Sequence, residues 1–193
     1  STRVRSSAAS DVYKRQVYRV AGVKLSKSTY TYNGKVQKPK VTVKDSKGNT
    51  LTAGKHYTVS YSGGCKNVGR YSVKLTLKGA YKGTKTYTFT IVPKGTTVAK
   101  LQGGKKSLTV KWKAQKTQTT GYQLQYSTAK NFTKNTTKWI NVGNNKSTAK
   151  TVKKLKAKKK YYVRIRTYKK VKTQKGYVTI YSSWSKVKTV KTK

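Results

Sequence analysis

The residues that ordinarily carry acid–base, nucleophilic or metal chemistry are scarce here: one histidine, His56, one cysteine, Cys65, and two acids, Asp11 and Asp45, with no glutamate. A glycosidase-type mechanism needs two carboxyl groups a few Å apart, and these two lie in unrelated segments. A Ser-His-Asp relay would have to recruit His56 with Asp45 or Asp11. Metal sites draw on clusters of His, Cys, Asp or Glu, which the sequence does not contain. His56, in GKHYTVSY, reads as the start of a strand. Cys65, in SGGCKNVG, reads as an incidental or structural thiol in a glycine-rich turn, and a lone cysteine allows no intrachain disulfide. The chain is therefore read as non-enzymatic, with no catalytic residue, cofactor or metal.

Positive charge, by contrast, is abundant. Forty-seven Lys and Arg face the two acids, for a formal charge of +45. Such a chain attracts polyanions of almost any kind, which bears on partners and solubility and not on fold. The densest stretch is LKAKKKYYVRIRTYKK, Leu155–Lys170. With Tyr161, Val163 and Ile165 turned to a core, alternation puts Tyr162, Arg164 and Arg166 on the opposite face, just after Lys158, Lys159 and Lys160. The first reading is a solvated sheet face with a lysine-rich loop, in which lysines also discourage edge-to-edge pairing. The functional reading makes Lys158, Lys159, Lys160, Tyr162, Arg164 and Arg166 a polyanion-binding strip. Lysines at outward positions from Lys24 to Lys193 favour low-specificity attraction to anionic cell-wall polymers or polysaccharide. Nucleic acid is the less favoured partner, because its binders concentrate charge on one face.

The elements that would position these residues are short alternating runs. In the first half, Val23 and Leu25, Tyr30 and Tyr32, Val41 and Val43, Tyr57, Val59 and Tyr61, Tyr71 to Leu77, and Tyr87, Phe89 and Ile91 recur at period two. Asn33-Gly34 reads as a tight turn, since both tolerate positive φ. Pro93 and KGTT interrupt the pattern. The second half resumes with Leu108, Val110 and Trp112, then Tyr122, Leu124 and Tyr126, then Trp139 with Ile140 or Val142, then Val152 and Leu155. Tyr161 to Thr167 follow, and a last run carries Trp184, Val187 and Val190. About seven strands per half without helical periodicity predict an all-β protein of two tandem Greek-key β-sandwiches. The expected boundaries are 20–92, a linker at 93–96, and 97–193. Trp139 and Trp184 read as core or rim packing, with a sugar-stacking platform as the alternative. No apolar run reaches the length of a membrane span.

The order SLTVKWKA, GYQLQYSTAKNF, LKAKKKYYVRIRTY and YSSWSKVKTVK resembles a fibronectin type III domain over residues 95–193. The resemblance implies that Trp112 is the core tryptophan of the second strand. It also implies that Leu155 and Tyr161, followed by Val163 and Ile165, form the tyrosine corner, whose hydroxyl bonds back to nearby backbone. Ala157-Lys158 stands where that family often has Pro-Gly. Residues 22–92, through YTYNGKVQKPKVTVKD, LTAGKHYTVSY and GRYSVKLTLKGAYKGTKTYTFTI, are similar to bacterial immunoglobulin-like repeats of surface proteins. Together these imply a secreted or cell-surface, wall-associated spacer or adhesion module, monomeric within a longer chain. An accessory role beside a cell-wall hydrolase is a further alternative. Residues 1–16, STRVRSSAASDVYKRQ, have no signal-peptide core and read as an artefactual or disordered leader, with further domains expected upstream.

Overall fold

A computed structural model describes residues 18–193; the leader assigned to 1–16, including Asp11, lies outside the described residues. The chain divides into two compact units. Of the described residues, one comprises 18–28, 38–65 and 70–89; the other comprises 29–37, 66–69 and 90–193. Among the described residues secondary structure is almost entirely strand, with a single 3-10 turn at Lys134–Thr136.

In the first unit, β1 (Val20–Leu25) pairs antiparallel with β3 (Val41–Asp45). β4 (Tyr57–Tyr61) pairs antiparallel with β5 (Gly69–Leu77), Val59 opposite Leu75. Val43, Leu51, Tyr57, Leu75 and Tyr81 form its buried core, with Val20, Val23, Val41, Val59 and Leu77 packed around them. Tyr57 of this core and the half-buried Tyr61 use their polar ends: Tyr57 donates to Val41 O at 3.1 Å and Tyr61 to Pro39 O at 2.6 Å. β2 (Thr29–Thr31), in the second unit, lies parallel to the Thr90–Val92 end of β6 (Thr84–Val92). Asn33-Gly34 is thus no hairpin between β2 and β3, which pair with different strands. Asn33 Oδ1 instead accepts the Lys35 N–H at 2.9 Å, a side-chain-closed bend with Gly34 at φ 77°.

The second unit also holds two sheets over one core. β7 (Val98–Gly104), β8 (Ser107–Trp112) and β11 (Ala149–Val152) form a sheet in the order β11-β8-β7. The other contains β9 (Gly121–Ser127), β10 (Thr137–Val142), β12 (Lys160–Thr173), β13 (Gly176–Tyr181) and β14 (Lys188–Lys191), in the order β10-β9-β12-β13, with β14 also on β12. Val98, Leu108, Val110, Trp112 and Val152 from the first sheet meet Tyr122, Leu124, Tyr161, Val163 and Ile165 from the second. Leu155 and Val190 pack against their edge. This is a β-sandwich, built by the period-two alternation of both sheets.

The last run, residues 177–193, is divided between two strands, β13 and β14. Between β13 and β14 the chain leaves the ladder, and two serines take its place. Ser182 N–H donates to Thr167 O at 3.0 Å while its Oγ accepts Thr167 N–H at 3.0 Å; Ser185 repeats this on Ile165 at 2.8 and 3.0 Å. Each serine thus satisfies both backbone groups of its β12 partner, so the strand can swing out without leaving buried amides unpaired. Val187, read as part of the apolar run, is exposed as a result.

Asp45 is the one acidic side chain among the described residues, and it is buried at a turn. It accepts Lys47 N–H, Asn49 N–H, Asn49 Nδ2 and the Tyr81 hydroxyl. Burial acts to raise its pKa; the bonds from Asn49, Lys47 and Tyr81 outweigh it and hold the carboxyl below its ordinary value. A depressed carboxylate pKa means the unfolded chain binds the proton more readily, so stability rises with pH in that range. The Asp45 contribution is complete above the ordinary carboxylate range and is lost as pH falls through the folded value. Urea titrations of the wild type should show stability falling with acid, and Asp45→Asn should flatten that fall while lowering stability at pH 7. Trp112, 3% exposed, has an indole N–H without an acceptor. Trp112→Ala should therefore cost about 3–5 kcal/mol, and Trp112→Phe clearly less, since it removes the unpaired donor along with part of the ring.

Candidate functional site

β12 carries most of the residues that sequence patterning singles out. Tyr161, Val163 and Ile165 are 6%, 1% and 0% exposed, on the core side. Tyr161 Oη accepts the Lys156 N–H at 3.1 Å, so the hydroxyl ties the entering loop to the strand. Leu155 lies half-buried above it, its N–H donated to Lys106 O at 2.9 Å. Lys158, in the turn between them, adopts φ 53°, the left-handed region in which a glycine would be unstrained.

Tyr162, Arg164 and Arg166 point to the other face, yet that face is not simply solvated. The Arg164 guanidinium lies 4.1 Å from the Phe132 ring centroid and 4.7 Å from that of Trp184. Arg166 lies 4.2 Å from Trp184 and 3.7 Å from Tyr181. The order Phe132–Arg164–Trp184–Arg166–Tyr181 is a stack in which each cation sits between two rings. Cross-strand neighbours on β9 complete the coordination. Arg164 Nε donates to Gln125 Oε1 at 2.6 Å, and Arg166 Nε to Gln123 Oε1 at 2.8 Å, with Gln123 Nε2 in turn donating to Asn141 Oδ1 at 3.0 Å. The register explains this: Arg164 is opposite Gln125, and Arg166 opposite Gln123. Burial lowers the pKa of both guanidinia; at Arg166, Tyr181 opposes that fall and Arg164 adds to it. Both guanidinia are held by π faces and amide oxygens, with no carboxylate in the arrangement.

Trp184 enters this stack because the serine-capped break between β13 and β14 lifts it onto the outer face. Trp139, read as core or rim packing, is instead 62% exposed. Ile140 and Val142 take the inward positions of β10, packing against the core, so alternation sends Trp139 outward, opposite Gln125 on the same outer face. The sequence signals for the stack are the serines of YSSWS and the Arg-x-Arg on β12 facing Gln-x-Gln on β9. Either is readable only once the two strands are known to pair.

The remaining candidates have local roles. His56 Nδ1 accepts Thr52 N–H at 2.9 Å, just before β4. Cys65 is buried, and burial pushes its thiol pKa up while Lys38 opposes the shift. A reactive thiolate would need the opposite balance. Among the described residues no group of three or more His, Cys, Asp or Glu could hold a metal ion. Lys158, Lys159 and Lys160 are exposed, and Lys160 Nζ lies 5.4 Å from the Tyr162 ring. The structure thus separates the expected strip into two arginines engaged in a stack and a group of exposed lysines at its base, one of them, Lys160, lying over the Tyr162 ring.

Residues 92–180 match the fibronectin type III domain family. Solved structures similar to the chain include a two-domain fibronectin type III segment of chicken tenascin, at 18% identity and TM-score 0.48, covering 90% of this chain and 99% of that one. The FN1-FN3 domains of chicken CNTN1 are similar at 14% identity and TM-score 0.42, over 88% of this chain and 66% of that one. A β-1,2-glucanase from Parabacteroides distasonis is similar at 16% identity and TM-score 0.38, over 63% of this chain and 18% of that one. No curated protein matched the chain. The family matched at 92–180 is a type of module that is commonly a non-catalytic spacer or binding unit and typical of extracellular proteins.

Removing only the Tyr161 hydroxyl tests the corner. Tyr161→Phe should lower stability by about 1 kcal/mol or somewhat more, because it leaves the Lys156 N–H without its acceptor. Chemical denaturation with an unchanged m-value would report it.

Proposed function

We propose that the chain is a non-catalytic spacer and adhesion module of a bacterial cell-surface protein, held to anionic envelope polymers by distributed positive charge. One observation carries this reading: lysines fill the outward slots of strands whose inward slots build the cores. Lys44 is exposed between buried Val43 and Asp45, Lys74 between Val73 and Leu75, and Lys111 between Val110 and Trp112. With 47 basic residues against two acids, both units present cations to any surrounding polymer. The fibronectin type III match at 92–180 supports an extracellular spacer. The likeness of residues 22–92 to bacterial immunoglobulin-like repeats supports a surface-protein context and a reading of 20–92 and 97–193 as separate domains. Among the described residues no helix is long and apolar enough to cross a membrane.

Binding through released counterions weakens steeply with salt. Retention of the chain on isolated anionic wall polymer should fall by orders of magnitude between ~50 and ~500 mM salt. Retention that stays constant across that range contradicts the proposal.

Trp139 favours a second reading, as a carbohydrate-binding accessory module. Its exposed indole lies on a face that also presents the exposed Asn141, a flat ring beside a planar amide, a combination that suits a sugar. Trp139→Ala should abolish retention on neutral insoluble polysaccharide if this reading holds, while changing stability by less than about 0.5 kcal/mol, as surface substitutions generally do.

A further inference from the structure

Three separated segments, 104–106, 153–160 and 191–193, meet at one end of the second unit. Backbone bonds knit them together. Lys106 N–H donates to Lys193 O at 3.1 Å, Lys193 N–H to Gly104 O at 2.8 Å, and Leu155 N–H to Lys106 O at 2.9 Å. Thr192 N–H donates to Lys159 O at 3.0 Å, and Thr192 Oγ1 accepts Lys159 N–H at 3.0 Å and donates to Lys156 O at 2.6 Å. Ten of the fourteen residues in these segments are lysine, all exposed; the others are Gly104, Leu155, Ala157 and Thr192. Leu155 packs on the core and Thr192, 3% exposed, is the hub of the bonding just described. Nearly every position without a packing or bonding task is therefore a lysine.

A second observation is independent of that count. Among the described residues, six non-glycine positions have positive φ, and three of them are lysines of this end: Lys106 at 43°, Lys154 at 59° and Lys158 at 53°. Glycine or asparagine would sit there with less strain. Strained backbone that persists in one locality points to a function there.

The geometry points to this lysine pole as the principal docking surface for a flexible, base-free polyphosphodiester chain, an inference that rests on the proposed attraction to envelope polymers and locates it. The chemistry of the pole selects the partner. Ammonium groups are compact, strongly hydrated point charges on mobile stems, suited to successive phosphodiesters without demanding a fixed shape. The pole's fourteen residues include no aromatic side chain, and the one ring at its border, half-buried Tyr162, already faces Lys160 Nζ at 5.4 Å, which leaves little platform for the stacking of unpaired bases that single-stranded nucleic-acid sites use. The arginines higher on β12 lie outside this surface, their guanidinia occupied by rings and glutamines.

The test compares two variants of the full chain that remove the same charge. One replaces Lys105, Lys106, Lys154, Lys156, Lys158 and Lys159 with Gln. The other replaces Lys116, Lys130, Lys146, Lys170, Lys172 and Lys175, also exposed and in the same unit. Binding is measured by titration with purified poly(glycerol phosphate) across a salt series, with melting curves confirming that each variant folds. The pole variant should bind at least about tenfold more weakly, and its salt slope should fall by about 4, from a contribution of about 0.7 per contact on a flexible strand. The control variant should change affinity less than about threefold. Equal losses in the two variants overturn the pole and leave distributed attraction standing, whereas wild type that fails to bind overturns the attraction itself. A thymidine oligonucleotide of matched charge should bind more weakly than the polyol phosphate; tighter binding, lost in the pole variant, overturns the base-free partner.

Discussion

Two arginines half-buried on one strand, in a unit whose described residues offer them no carboxylate, set the constraint around which the second sandwich is arranged. A guanidinium withdrawn from water needs a counter-charge or a substitute for one. Here the substitutes are the faces of Phe132, Trp184 and Tyr181 and the amide oxygens of Gln123 and Gln125. Each has a structural precondition. The glutamines require β9 beside β12 in the observed register, Phe132 requires the turn before β10, and Trp184 requires the chain to leave the ladder after β13. The two serine caps make that departure inexpensive, because the β12 amides and carbonyls keep their partners. Strand pairing, loop path and charge placement are thus one arrangement.

The same strand serves the opposite face. Tyr161, Val163 and Ile165 alternate with the arginines and close the core against Trp112, Leu108 and Val110 of the facing sheet. Below them, the Tyr161 hydroxyl holds the loop in which the lysines gather. β12 therefore divides three jobs along its length and across its faces: core, cation stack, and anchor for the cationic end. The mobile charges lie where the backbone is fixed by Thr192 and Tyr161, and the fixed charges lie where rings immobilise them. Arginine and lysine are not interchangeable in this scheme, since only the planar guanidinium stacks on both faces.

Much of this architecture can be read from period-two alternation. The burial of Val110, Trp112, Leu124, Val163 and Ile165 follows from it, and so does the outward direction of Arg164 and Arg166. Other features depend on pairings that a linear pattern does not contain. The Arg–Gln bonds need β9 and β12 side by side, with partners 39 and 43 residues apart in sequence. Trp139 and Ile140 both look apolar, and only the inward placement of Ile140 and Val142 sends the tryptophan out. β2 pairs with distant β6, so Asn33-Gly34 closes a bend where a hairpin turn would be the local expectation. The break between β13 and β14 hides in a run that still looks like a strand, because its serines imitate ladder bonds.

The claim on which this account depends is that π faces stand in for acids around the half-buried arginines. A double-mutant cycle between Arg166 and Trp184, using Arg166→Gln and Trp184→Leu with unfolding measured in ~0.05 and ~0.5 M NaCl, tests it most directly. The account predicts a favourable coupling of about 1–2 kcal/mol that is nearly the same at both salt concentrations, since desolvated pairs are weakly screened. A coupling near zero, or one that vanishes in high salt, would contradict it.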